Sequence, residues 1–189
     1  MESQQLRALI AGEMPSLITI RHDLHRHPEL GYNENRTSAT LSRELTAMGV
    51  AHVTGLARGT GIAAHLPATT PNPGEAIALR ADIDALPIEE QTGLAYASVH
   101  PGMMHACGHD GHTTNLLGVA RVLSKIAHRP RPVTLIFQPA EEGGAGGLAM
   151  CNDGVLDGRV IGPPVKHIYG LHGWPQLPVG VVASRPGPL

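Results

Sequence analysis

Aromatic side chains are scarce in this sequence. Phe137 and Trp174 are the sole examples of their kinds, and three tyrosines bring the aromatic share to only 3%. A core built from this chain must therefore be mostly aliphatic. Cys107 and Cys151 are the only cysteines, which allows one disulfide and excludes a disulfide-stapled scaffold. No apolar run approaches the ~20 residues of a membrane span. Charge of either sign is also missing as a surplus: fourteen Lys and Arg face sixteen Asp and Glu, for a formal −2. Neither nucleic acid nor an anionic membrane is an expected partner. The first residues show no basic stretch leading into an apolar one, so no secretory signal is expected. The cytoplasm, with reduced thiols, is the expected compartment.

Histidine is plentiful, with twelve in 189 residues. That length suits one domain with a real core. Apolar residues at helical spacing (Leu6, Leu9, Ile10, Leu17, Ile20, Leu24) predict helix over residues 3 to 27, with a break or a fresh start at Pro15. His22, His25 and His27 at its end read as a solvated helix terminus. Asn33 or Asn35 is the expected N-cap of a second helix that carries Leu41, Leu45 and Met48 and stops at Gly49. Short strands are predicted at Val50–Val53, Ile62–Leu66, Ala76–Leu79, Val133–Phe137, His167–Leu171 and Val179–Ala183. A helix is expected from Asp110 or Gly111 to about Ile126, and a short one from Gly146. The alternation of strands and helices gives an α/β fold, a mixed β-sheet flanked by helices. Gly59-Thr60-Gly61 lacks the third glycine and opens no helix, so it carries no dinucleotide reading.

The chemistry concentrates in Met104-His-Ala-Cys-Gly-His-Asp-Gly-His112. Cys107 and His109 can grip one site from either side of a tight turn, and thiolate and imidazole suit Zn²⁺, Ni²⁺ or Co²⁺. Glu142 and His172 each follow a predicted apolar strand, which puts both at the same sheet edge. Adjacent glutamates permit a division of labour: Glu142 as a ligand, Glu141 as the group that moves a proton. A purely structural zinc site of Cys107 and neighbouring histidines is the competing reading, and it leaves Glu141-Glu142 unexplained. Cys151 reads as a buried or half-buried structural thiol.

Three segments resemble the M20 metallopeptidase family, in its amidohydrolase branch of hippurate hydrolases, N-acyl-amino-acid amidohydrolases and auxin-conjugate hydrolases. They are Arg80-Ala-Asp-Ile-Asp-Ala-Leu-Pro87, the 104–112 stretch, and Phe137-Gln-Pro-Ala-Glu-Glu-Gly143. His25-Arg-His-Pro-Glu-Leu-Gly31, Leu171-His172 and Arg185-Pro-Gly-Pro188 fit as well. The resemblance implies a zinc-peptidase-like catalytic domain and two divalent ions (Zn, Mn, Co or Ni). In it, Cys107 is the bridging thiolate, His109, His172 and Glu142 are further ligands, Glu141 is the general base and Asp84 the supporting acid. Asp82 falls where related peptidases carry a metal-binding His. His105 and His112 are expected to hold ligands by hydrogen bonds. The implied substrate is a small N-acyl amino acid, cleaved at its amide. Carboxypeptidase and N-acetyl-amino-acid deacetylase are alternatives within the class, and a homodimer is implied for a full-length form. Enzymes of this family are about twice as long. Residues 1–189 are therefore expected to be the first part of the catalytic domain, C-terminally incomplete, without the lid or dimerisation domain. The expected consequences are a bare sheet edge and weak or absent activity, with a catalytically dead half-domain that binds metal or a partner as the alternative.

Overall fold

The computed structural model describes residues 3–184, so Arg185-Pro-Gly-Pro188 lies outside the described residues. Five strands form one mixed sheet: β1 (Ala51–Leu56), β2 (Gly61–Leu66), β3 (Ala76–Asp82), β4 (Val133–Gln138) and β5 (Val165–Gly170). Their spatial order is β1-β2-β4-β3-β5. The β1–β2 and β2–β4 pairs are antiparallel, while β3 runs parallel to both β4 and β5. Four helices pack on it: α1 (Ser3–Arg26), α2 (Asn35–Ala47), α3 (His109–Lys125) and α4 (Gly146–Asp153).

Alternation along the strands divides the core into two layers. Ile62, Ala64 and Leu66 of β2 and Val133, Leu135 and Phe137 of β4 face Leu17, Leu41, Leu45 and Leu117 of α1, α2 and α3. Ala63, Ala78 and Ile136 point to the other side, against Met150 of α4 and Val155 beyond it. Phe137 is the one large aromatic in this otherwise aliphatic interior, and Trp174 is exposed. No helix of the described residues is long and apolar enough to cross a membrane.

Several local expectations are corrected. Helix α1 runs through Pro15 without a break. Ala11, whose carbonyl the proline ring leaves without its i+4 donor, lies on the exposed side, where water can serve it. Packing holds the far half in line, since Leu17 sits so close to Gly118 of α3 that a Cβ there would lie 2.8 Å from it. His25 is buried rather than solvated, because carboxylates meet both of its nitrogens: Asp110 at 3.0 Å and Glu90 at 3.2 Å. Neither asparagine caps α2. Glu34 holds the N-cap position, and the Glu29 carboxylate accepts from the amides of Arg36 and Thr37 at 2.9 and 2.8 Å. Residues 179–183 form no strand: no strand pairs with them among the described residues, the Val181 amide closes a turn onto the Pro178 carbonyl, and Val179 and Val182 are exposed. Cys151 is exposed on α4.

Candidate metal centre

The parallel strands β3, β4 and β5 end at one edge of the sheet, in register, with Asp82 opposite Gln138. The chain that leaves each end supplies polar residues: Asp84 after β3, Glu141 and Glu142 after β4, His172 after β5. Helix α3 starts at the same edge. Gly108, at φ +85°, is its N-cap, and this left-handed glycine turns the chain so that Cys107 and His109 flank it. Sequence-distant groups thus converge where open α/β sheets place their ligands.

Two donor sets result. The ligand atoms of Cys107, His109 and Glu142 lie within 4.8 Å of one another, and so do those of Asp82, His109, His112 and His172. His109 belongs to both. Its Nδ1 faces the Asp84 backbone carbonyl at 2.9 Å and the Asp84 carboxylate at 3.2 Å, so Nδ1 carries the proton and donates. Its Nε2 is buried without a hydrogen-bond partner among the described residues. Around that nitrogen stand carboxylate oxygens of Asp82 at 3.6 Å, Glu142 at 3.9 Å and Glu141 at 4.0 Å. A lone pair on a buried nitrogen facing three anionic groups calls for a cation between them, either a proton on Nε2 or a metal ion.

The ionisation equilibria agree. Burial pulls the His109 imidazole down, but the Asp84 hydrogen bond and the charges of Asp82 and Asp84 outweigh it, and its pKa is raised. Burial works against ionisation of Asp82 and Asp84 as well. The His112 bond at Asp82 and the His109 bond at Asp84 head the opposing effects, and both carboxyls end below their ordinary range. The Cys107 thiol is pushed up to about 11 by partial burial, then by Glu142 and the charges of Asp82 and Glu141. A divalent ion would reverse that last effect and hold the thiolate.

Hydrogen bonds fix the surrounding groups. Asp84 Oδ2 accepts from the Glu142 amide at 3.0 Å. Asp82 is held by Arg80 at 2.8 Å and by His112 Nδ1 at 2.7 Å. The other nitrogen of His112 accepts from the Gly173 amide at 2.9 Å, which ties down the loop carrying His172. Cys107 Sγ lies 3.4 Å from His172 Nε2. Asp82, Asp84, Cys107, His109, His112, Glu141, Glu142 and His172 are therefore all gathered at one place. His105 is the exception. It is buried with neither ring nitrogen hydrogen-bonded among the described residues, so it holds no ligand, and burial lowers its pKa to about 4. Two further residues join the support, Asp110 from within the 104–112 stretch and Glu34 without a sequence signal for it. Asp110 accepts from Arg21 at 3.1 Å and meets His25, anchoring the start of α3 to α1. Glu34 reaches the Ala140 amide at 2.8 Å.

Known proteins resemble the chain in sequence and fold. The chain is 47% identical over 174 residues to an N-acetyl-L-cysteine deacetylase of Bacillus subtilis, covering 92% of this chain and 40% of that protein. It is 44% identical over 186 residues to a probable hydrolase of Synechocystis sp., covering 98% and 45%. The chain thus spans less than half the length of these relatives. A crystal structure of a Bacillus subtilis dinuclear metal binding peptidase from the M20 family superimposes with a TM-score of 0.84 at 41% identity, covering 97% of this chain and 48% of that one. The model of peptidase family M20/M25/M40 matches residues 78–187, the stretch from β3 to beyond His172, and the chain belongs to that family.

Proposed function

We propose that this chain carries the metal-binding part of an amidohydrolase that cleaves N-acyl amino acids into a carboxylic acid and an amino acid. One observation carries the reading above the others. His109 Nε2, buried and without a hydrogen-bond partner among the described residues, faces Glu142, Glu141 and Asp82, with Cys107 in the same donor set as His109 and Glu142. A deacetylase of an N-acetyl amino acid among the relatives supports the substrate class. Cys107, His109, Glu142 and His172 would hold the ions, a pair as in the dinuclear neighbour. Divalent ions there would polarise the scissile carbonyl and acidify water. Glu141 accepts the proton of the attacking water and returns it to the leaving amine. Its carboxylate stays partly open to solvent beside His109, as a proton shuttle requires. Asp84 fixes the His109 tautomer and the Glu142 backbone. The free thiols support a reducing, cytoplasmic setting.

A second reading keeps the metal and drops the turnover. Exposed Ile168 and Tyr169 on the outer strand β5 favour it, because they leave an apolar surface on the rim of the sheet beside His172. Metal content of the purified chain and hydrolysis of N-acetylcysteine and benzoylglycine test both. Metal is expected in the parent and lost in Cys107→Ser. Glu141→Gln is expected to keep the metal and lower any turnover by about 10²–10⁴-fold. Turnover unaffected by Glu141→Gln would overturn the assigned role.

A further inference from the structure

Glu34 has no solvent-exposed surface, and a carboxylate is costly in the interior unless its oxygens are hydrogen-bonded. Both oxygens are used. Oε2 accepts from the Thr60 hydroxyl at 2.7 Å and Oε1 from the Ala140 amide at 2.8 Å. Ala140 stands at φ +48°, in the left-handed region, where a side chain with a Cβ is strained. It immediately precedes Glu141 and Glu142. Two residues on, the Glu142 amide is held by Asp84. Two carboxylates from distant parts of the chain therefore pin alternate amides of one strained turn. The fit around the turn is close. Tyr32 donates to the Gly144 carbonyl at 2.5 Å, and a Cβ on Gly144 would lie 2.6 Å from the Ala140 methyl. A Cβ on Gly31 would lie 3.1 Å from Ala140. Residues 31–34 thus brace residues 140–144 across a sequence gap of more than a hundred positions.

We propose that Glu34 is a positioning residue for Glu141 and Glu142: through the Ala140 amide it locks the left-handed turn that brings both carboxylates to Cys107 and His109. The inference rests on the metal-centre reading above. Without the clamp, Ala140 relaxes toward negative φ, and the peptide plane leading into Glu141 rotates with it.

Two readouts test the proposal. Co²⁺ titration of the full chain, followed by its thiolate charge-transfer absorption, reports the assembled centre. Amide exchange at Ala140 and Glu142 in metal-free protein reports the turn itself. Glu34→Asp keeps the charge but shortens the arm by one methylene, whereas Glu34→Gln keeps the reach. The proposal expects Glu34→Asp to bind Co²⁺ about 10–100-fold more weakly and to exchange both amides faster, with Glu34→Gln close to the parent. Glu34→Asp that matches the parent in both readouts overturns it, and so does Glu34→Gln as impaired as Glu34→Asp. Thr60→Val frees Oε2 alone and serves where Glu34→Asp fails to fold. It moves both readouts in the same direction, and no movement overturns the proposal equally. A parent that binds no Co²⁺ defeats the metal reading alone, and amide exchange then decides the clamp.

Discussion

Strands β4 and β5 flank β3 in parallel and deliver candidate ligands to the same edge, yet they are built differently. Every residue of β4 is buried, and the turn after it is fixed from two sides by Glu34 and Asp84. In β5 only Val165 is even partly buried, and the strand lies on the rim of the sheet. His172, which follows it, is placed by the bond from Gly173 to His112, by its own Nδ1 contact with the Gly173 carbonyl at 2.7 Å and by its approach to Cys107. Glu141 and Glu142 are thus held by the core, and His172 by the site itself. One half of the centre is preorganised by folding. The other is assembled from within, so it responds first when the site is perturbed.

The largest expected effect removes what holds the β4 side. Phe137 is fully buried at the end of β4, and Phe137→Ala should cost about 3–5 kcal/mol in denaturant unfolding. A cost below ~1 kcal/mol would show that β4 is no more rigid than β5. Next comes the tether of the other half. His112→Phe removes the partner of Asp82 Oδ1 and of the Gly173 amide, and leaves the Asp82 carboxylate only its bond from Arg80. It should weaken metal binding about 10–100-fold, roughly 1.4–2.8 kcal/mol, while the fold stays intact. Faster amide exchange at Gly173 but not at Glu142 would sharpen the contrast.

Acidity acts on both halves at once. The Cys107 thiol, at about 11, must release its proton to bind a metal. Metal affinity should therefore fall about tenfold for each pH unit lowered around neutrality. Protonation of His109, whose pKa is raised, adds a second proton and steepens the fall toward acid. A flat profile in a metal titration from pH 8 to 6 would contradict thiolate ligation. The smallest effect belongs to the rim. Tyr169 is 58% exposed on β5, and Tyr169→Ala should change stability by no more than about 0.5 kcal/mol.

Much of the centre was legible in the sequence, because its ligands are short-range punctuation. Each follows an apolar strand or opens a helix, and strand ends share an edge by the rules of parallel sheets. The supports were not legible. Glu34 looks like a helix-start residue, and nothing local reveals Thr60 or Ala140 across the fold. His25 looks like a solvated helix end until Glu90 and Asp110 arrive from positions 65 and 85 residues away. His105 shares its motif with residues gathered at the candidate centre and yet is buried with neither ring nitrogen hydrogen-bonded among the described residues. Pro15 obeys the local rule for a break, but the packing of Leu17 on α3 overrides it. Residues 179–183 have the valine-rich composition of a strand without a strand to pair with among the described residues, which no local composition can supply.

The most direct test of the centre is zinc K-edge absorption of the zinc-loaded chain. Ligation by Cys107 predicts a sulfur shell at about 2.3 Å, with nitrogen and oxygen at about 2.0–2.2 Å, and loss of the sulfur shell in Cys107→Ser. A parent spectrum with nitrogen and oxygen alone would favour the set of Asp82, His109, His112 and His172 for any bound ion, and would contradict the role assigned to Cys107.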